Sequence, residues 1–344
     1  MKKYRNYFVP LFFLVLSLLS IKAAGTSMNF VSSELYSRFI RNGVLVISLL
    51  IPIMSGMGLN FSINIGAIAA QIAVIIVIDK QVLGVKGYLL AIAISIILSI
   101  IFGNIIGILL NKAKGREMIT SMVIGFLGTS LYQLIFMVGY GTIITPQNKE
   151  ILLSRGIGLR NTIDCNYFKQ LYDGIMMVNI GGMQVSILPI IIIILIGLVV
   201  YYIEHSKLGY HMKAVGENMN TSEMLGINVD RTRRLSIVIS TVLAALGQLM
   251  SIQDLGMVNV YTGHLGLSIF SASALLVGGA TFKKANLKNV YIGLLLFHTL
   301  FITSPLAGQN LFKNAALGEY FRSFIVYGTI VFALMINLKN EESR

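Results

Sequence analysis

Long apolar runs separated by short polar breaks dominate the chain. A helix needs roughly 20 mostly apolar residues to cross a bilayer's hydrocarbon layer, and by that measure about ten runs qualify. They lie at approximately 7–24, 43–57, 61–79, 88–110, 118–143, 186–203, 235–253, 266–282, 290–304 and 320–338. Those at 43–57, 61–79 and 290–304 are short or interrupted by glycine. The first follows Met1-Lys-Lys-Tyr-Arg5 and ends at Ile21-Lys-Ala-Ala-Gly25. It lacks a clean small-residue cleavage site, so it reads as an uncleaved first helix rather than a secretory signal. The pattern predicts an all-α polytopic membrane protein, with residues 1–344 forming one transmembrane domain.

Charge orients this arrangement. Lys2, Lys3 and Arg5 precede the first run; Lys112, Lys114 and Arg116 follow the fourth. Arg231, Arg233 and Arg234 precede the seventh, Lys283, Lys284 and Lys288 separate the eighth and ninth, and 339–344 closes the chain. With ten crossings all of these fall on one side, which the positive-inside rule makes cytoplasmic, so both termini are expected there. Arg38 and Arg41 fall in an expected loop on the other side. Two polar stretches are long: 145–185, expected outside, and 204–234, expected in the cytoplasm.

Composition supports the membrane reading. Of 344 residues, 56% are hydrophobic and 12% charged, about half the charged share of a soluble domain. The net charge of +13 sits mainly in the clusters between runs, so it does not imply a nucleic-acid partner. One cysteine, Cys165, excludes an internal disulfide. No phosphate-binding G-x-x-x-x-G-K-[ST], H-E-x-x-H or G-x-S-x-G motif occurs, and the four histidines are scattered. No acidic residue lies in the middle of a predicted run; Asp79 and Asp254 sit at run ends. Ion-coupled carriers commonly keep an ionisable group inside the membrane, so this weakens that reading.

Three segments carry candidate chemistry. Asn220-Thr-Ser-Glu223 has the spacing of a capping box with Asn220 as N-cap. It predicts a helix of one to two turns continuing through Met224 and Leu225 and stopping at Gly226. So short a helix is not stable alone; the rest of the loop or a partner must hold it, with Met224, Leu225 and Ile227 as apolar contacts, unless the stretch is a simple linker. The Gly-interrupted segment Met54–Gly66 puts Asn60, Ser62 and Asn64 at membrane depth. Broken segments occur in membranes where they line a cavity or are buried in protein, so these side chains line a polar path or hydrogen-bond between helices. In 145–185, Arg155, Arg160, Lys169, Asp164 and Asp173 form either a receiving surface for a charged partner or a solvated cap.

Several stretches together resemble the permease subunits of ABC importers, in the ribose/galactose-type and branched-chain amino acid branch. They are Gly209-Tyr-His-Met-Lys-Ala-Val-Gly216-Glu-Asn218, Leu225-Gly-Ile-Asn-Val229, Ile239–Gly247, Gly58-Leu-Asn-Phe-Ser-Ile-Asn-Ile-Gly66 followed by Gln71, and Ala274–Ala280. Lys213 stands where the family usually has Arg, and Lys283-Lys284-Ala285 replaces a Gly-rich turn. The resemblance implies a type II ABC-importer-like permease of ten helices in a bacterial cytoplasmic membrane, surrounded by lipid. It implies a second permease chain, identical or not, separate ABC ATPase subunits that hydrolyse ATP, and an extracytoplasmic substrate-binding protein. The chain itself would be no enzyme and would need no cofactor or metal. Lys213, Gly216, Glu217, Asn218, Asn220, Glu223, Leu225 and Gly226 would form the ATPase-coupling element, and Asn60, Ser62, Asn64 and Gln71 the translocation path. The expected solute is a simple sugar or nucleoside. A self-contained secondary transporter or channel is the alternative.

Overall fold

The computed structural model describes residues 5–169, 171, 175–180 and 183–341. Helix α1 (Arg5–Ala24) is followed by α2 (Met28–Ser48), α3 (Leu50–Met54), α4 (Ile63–Asp79), α5 (Gly84–Lys112) and α6 (Glu117–Leu134), the last running into a π-helical turn at Ile135–Gly139. A long connection holds strand β1 (Thr162–Asp164), the short helix α7 (Asn166–Lys169) and the hairpin β2 (Met177–Ile180) and β3 (Met183–Ser186). Then come α8 (Leu188–Glu204), α9 (Lys207–Glu217), α10 (Met219–Met224), α11 (Val229–Leu255), β4 (Met257–Asn259), α12 (Leu267–Val277), α13 (Leu287–Phe312) and α14 (Ala315–Glu341).

Among the described residues five helical segments are long and apolar enough to cross a membrane: Met28–Met54, Gly84–Lys112, Glu117–Gly139, Val229–Leu255 and Leu287–Phe312. The pair α8 and α9 makes a sixth if counted as one span bent by 68°. Phe8–Ala24, Ile63–Asp79 and Leu267–Val277 are shorter apolar helices.

Helix α11 is the hub, packing along α2, α4 and α5. Small residues permit the approach, as expected where helices associate by close packing rather than by expulsion of water. A Cβ on Gly66 of α4 would lie 2.5 Å from the Thr241 carbonyl oxygen of α11, and one on Gly293 of α13 would lie 1.9 Å from that of Ala274 in α12. The outward faces of α5, α6 and α8 are rich in exposed Leu, Ile, Val and Phe, the surface a hydrocarbon layer covers.

Two expectations are corrected. Helix α2 starts at Met28 rather than near residue 43, so Arg38 and Arg41 lie inside a helix and not in a loop. Their neighbours explain why so polar a stretch is helical. Arg41 pairs with Asp254 and Arg38 with Glu34, while Arg38 and Arg322 each stack 4.6 Å from the Phe301 ring centre. The structure is also not purely helical. β1 pairs antiparallel with β4, Ile163 opposite Val258, and this clasp ties the 145–185 stretch to the end of α11. Asp79, at the end of α4, anchors the same stretch by accepting the backbone N–H groups of Gln147 at 2.8 Å and Asn148 at 3.2 Å. Cys165 is buried beneath the clasp, and burial, reinforced by Asp164, pushes its thiol up to about 12, leaving it neutral and unreactive at ordinary pH.

Gly293→Leu forces the α12–α13 contact apart, and overpacking of this kind costs about 1–3 kcal/mol. Thermal unfolding of the detergent-solubilised protein should show a clearly lowered midpoint, whereas Gly328→Ala, which meets open space, should not.

Candidate functional site

Two neighbouring pieces of irregular chain form the candidate site: the break between α3 and α4, residues 55–62, and the α8–α11 connection. The break is built by local rules. Helix α3 ends in a Schellman motif, with Met57 N–H on the Pro52 carbonyl at 3.0 Å and Gly56 N–H on that of Ile53 at 3.1 Å. Gly56 supplies the left-handed φ of 74° this cap requires. The freed polar groups then find side-chain partners. Ser62 N–H donates to Asn60 Oδ1 at 3.0 Å, and Phe61 N–H donates to Ser121 Oγ of α6 at 3.1 Å. Asn60 Nδ2 donates to Ser240 Oγ at 3.3 Å, and Ser55 shares a 2.7 Å hydroxyl pair with Ser236, both on α11.

Asn60, Ser62, Asn64 and Gln71 are all buried, and each meets its own chain. Asn64 Oδ1 accepts the Ser268 N–H at the start of α12 at 3.1 Å. With Ser268 and Thr129 it also lines a cavity of about 60 Å³, room for a few water molecules. Gln71 lies about 10 Å further along α4 from Asn64 at helical rise, midway along the helix. Its Nε2 donates to the Asn259 carbonyl at 3.2 Å and its Oε1 lies 3.0 Å from His264 Nδ1. Since an amide oxygen only accepts, Nδ1 carries the proton. Three of the four thus gather near α11 and α12 while Gln71 stands apart. The segment is closed around them in this conformation.

The α8–α11 connection holds two helices where the sequence predicts one. Ser206 caps α9 by accepting the Gly209 N–H at 3.4 Å. Asn218, not Asn220, caps α10: its Oδ1 accepts the Thr221 N–H at 3.0 Å. The two Asn residues are spaced so that either reads as a cap; Asn218 prevails because the chain is extended there, at φ −157°, between two helices. Asn220 falls inside the helix, so its box with Glu223 does not form. Gly226 does end α10, with Ile227 N–H on the Ser222 carbonyl and Gly226 N–H on that of Glu223, both at 3.0 Å.

The other expected coupling residues divide. Lys213 turns inward to Glu204 at 3.1 Å, bracing α9 against the end of α8. Gly216 seats on the α3 cap: a Cβ there would stand 2.4 Å from the Met54 carbonyl oxygen. The two irregular pieces therefore touch backbone to backbone. Glu217, Asn220 and Glu223 are exposed, and Met224 and Leu225 are 88% and 73% exposed at the tip of α10. In the 145–185 stretch, Arg160 Nε donates to the Leu152 carbonyl at 3.0 Å; Asp173 lies outside the described residues.

Sequence reasoning missed Arg233. Reading Arg231, Arg233 and Arg234 as one orienting cluster hides that Arg233 is fully buried, paired with Glu117. The signal present was the spacing of Arg233, Ser236 and Ser240, which puts all three on one side of the helix.

Residues 33–335 match the family described as branched-chain amino acid transport system, permease component. This chain belongs to that family. Among curated relatives, the fructose import permease protein FruG of Bifidobacterium longum is 22% identical over 236 residues, 69% of this chain and 63% of that protein. The LivH high-affinity branched-chain amino acid permease of Escherichia coli K12 is 31% identical over 98 residues, 28% of this chain and 32% of LivH. A tyrosine transport system permease of Clostridioides difficile is 35% identical over 77 residues, 22% of this chain and 26% of that protein. The matches thus span less than two thirds of these relatives' own lengths. No solved structure matches. The chain is a multi-pass inner-membrane protein of the permease family, carrying several apolar helices able to span the bilayer.

The cap assignment has a direct consequence. Asn218→Ala should cost α10 about 1 kcal/mol and speed amide exchange across residues 219–226, while Asn220→Ala should leave exchange unchanged. Hydrogen–deuterium exchange of the purified protein reads both.

Proposed function

We propose that this chain is the translocating subunit of an ABC importer, moving a small neutral polar solute inward and driven by separate ATPase subunits. In this reading α1, α4, α12 and α14 complete ten crossings, and both termini lie in the cytoplasm. The observation that carries it is the tip of α10: a capped helix presents Met224 and Leu225 to open space on the basic face of a membrane protein. In the cytoplasmic placement this reading assigns to α10, lipid would not cover these side chains. An ATPase groove is the occupant we assign, with Glu217, Asn218, Asn220 and Glu223 around the apolar tip. Lys213, Gly216 and Gly226 shape the element from inside. A second copy or a similar permease chain completes the path, and a binding protein delivers solute at the opposite face.

Asn60, Ser62, Asn64 and Gln71 offer amide and hydroxyl groups without a formal charge. Such groups match the hydroxyls of a simple sugar or nucleoside, and a fructose permease matches 69% of this chain. A zwitterionic amino acid would instead require charged partners in so buried a place.

Met224→Ser with Leu225→Ser should leave the chain in the membrane yet abolish co-purification of the ATPase and ATP-driven uptake. In proteoliposomes the purified single chain should accumulate no fructose, uridine or leucine, whereas the complex with ATPase and binding protein should accumulate fructose or uridine. Uphill uptake by the chain alone would favour a self-contained carrier.

A further inference from the structure

Arg233 is the largest fully buried side chain among the described residues, and the proposed docking and path residues do not include it. It sits in the second turn of α11. Its guanidinium reaches three other elements at once: it pairs with Glu117 at the start of α6, its Nε donates to Asn111 Oδ1 of α5 at 3.1 Å, and its Nη1 lies 3.0 Å from Met219 Sδ of α10. Asn111 in turn donates to the Asp230 carbonyl at 2.7 Å, and Lys114 pairs with Asp230 at 3.0 Å.

Stability alone is a poor reason for this arrangement. A buried ion pair loses hydration that its mutual attraction barely offsets, and apolar replacements are often as stable. An arginine near a helix N-terminus also opposes the helix dipole; Asp230 in the first turn of α11 and Glu117 at the start of α6 offset it. What the pair does supply is a connection with a fixed geometry. From Glu117 one turn of α6 leads to Ser121, whose hydroxyl accepts the Phe61 N–H. From Arg233 one turn of α11 leads to Ser236, whose hydroxyl bonds the Arg233 carbonyl at 2.7 Å and meets Ser55. Both ends of the 55–62 break are thus held by the two helices that Arg233 and Glu117 join, and Met219 brings α10 to the same guanidinium.

Resting on the proposed importer reading, we propose that the Arg233–Glu117 pair is a positioning strut. It locks α10 to α5, α6 and α11 so that displacement of the docked α10 tip is delivered to the 55–62 break instead of being lost as loop motion. Arg233 and Ser121 are positioning residues; neither touches solute or ATPase.

The test uses the complex of permease, ATPase and binding protein in proteoliposomes, with fructose or uridine as solute, measuring uptake and ATP hydrolysis together. Arg233→Met and Ser121→Ala should both assemble and hydrolyse ATP within twofold of wild type, while solute imported per ATP falls at least tenfold for Arg233→Met and about threefold for Ser121→Ala. Should Arg233→Met fail to insert, Ser121→Ala decides alone, because it deletes a single hydroxyl. An unchanged ratio in the inserted variants, or uptake that falls only in step with assembly and hydrolysis, overturns the strut. A wild-type complex that neither retains an ATPase nor imports with ATP overturns the importer reading itself, and the strut with it.

Discussion

A backbone break buried in protein has no water to satisfy its freed N–H and C=O groups, each costing several kcal/mol if left unpaired. The break at 55–62 is the point on which the rest of this structure turns. Its groups are met by Asn60 from within, by Ser121 of α6, and by Ser236 and Ser240 of α11. Those demands fix which faces of α6 and α11 turn inward. They also account for two of the buried hydroxyls of α11, Ser236 and Ser240.

The same constraint joins the break to the α8–α11 connection. Two glycines, Gly56 and Gly216, come so close that neither tolerates a Cβ. Arg233 and Glu117 join the helices flanking the break, at the level where α10 begins. Polar groups that satisfy one another in a low-dielectric setting are stiff, since any departure leaves a costly orphan.

The membrane class was legible from apolar run length alone, because hydrocarbon thickness sets a requirement that each segment meets locally. The family was legible from short motifs around Gly58–Gly66, Gly209–Asn218 and Ala274–Ala280 for a related reason: glycines and amides at these points answer backbone needs within a few residues. The α10 stop at Gly226 was readable for the same cause. The cap was not, because Asn218 and Asn220 have equal local credentials and the extended backbone at Asn218 follows from where α9 ends.

Pairing across the fold belonged to tertiary structure. The chain's pattern placed Arg38 and Arg41 in a loop, since charge at membrane depth is costly in isolation; only Asp254, Glu34 and Phe301, brought alongside by α11, α2 itself and α13, make the helix affordable there. Arg233 reads in the sequence as one of three orienting charges, and only the fold brings Glu117, distant in sequence, beside it. Run length, punctuation and charge asymmetry act over a turn or two of helix and so are written in the sequence itself. Whether a polar side chain is a lipid-excluded partner, a strut or a docking tip depends on what the remaining helices bring within 3 Å, and that is settled only by the packed chain.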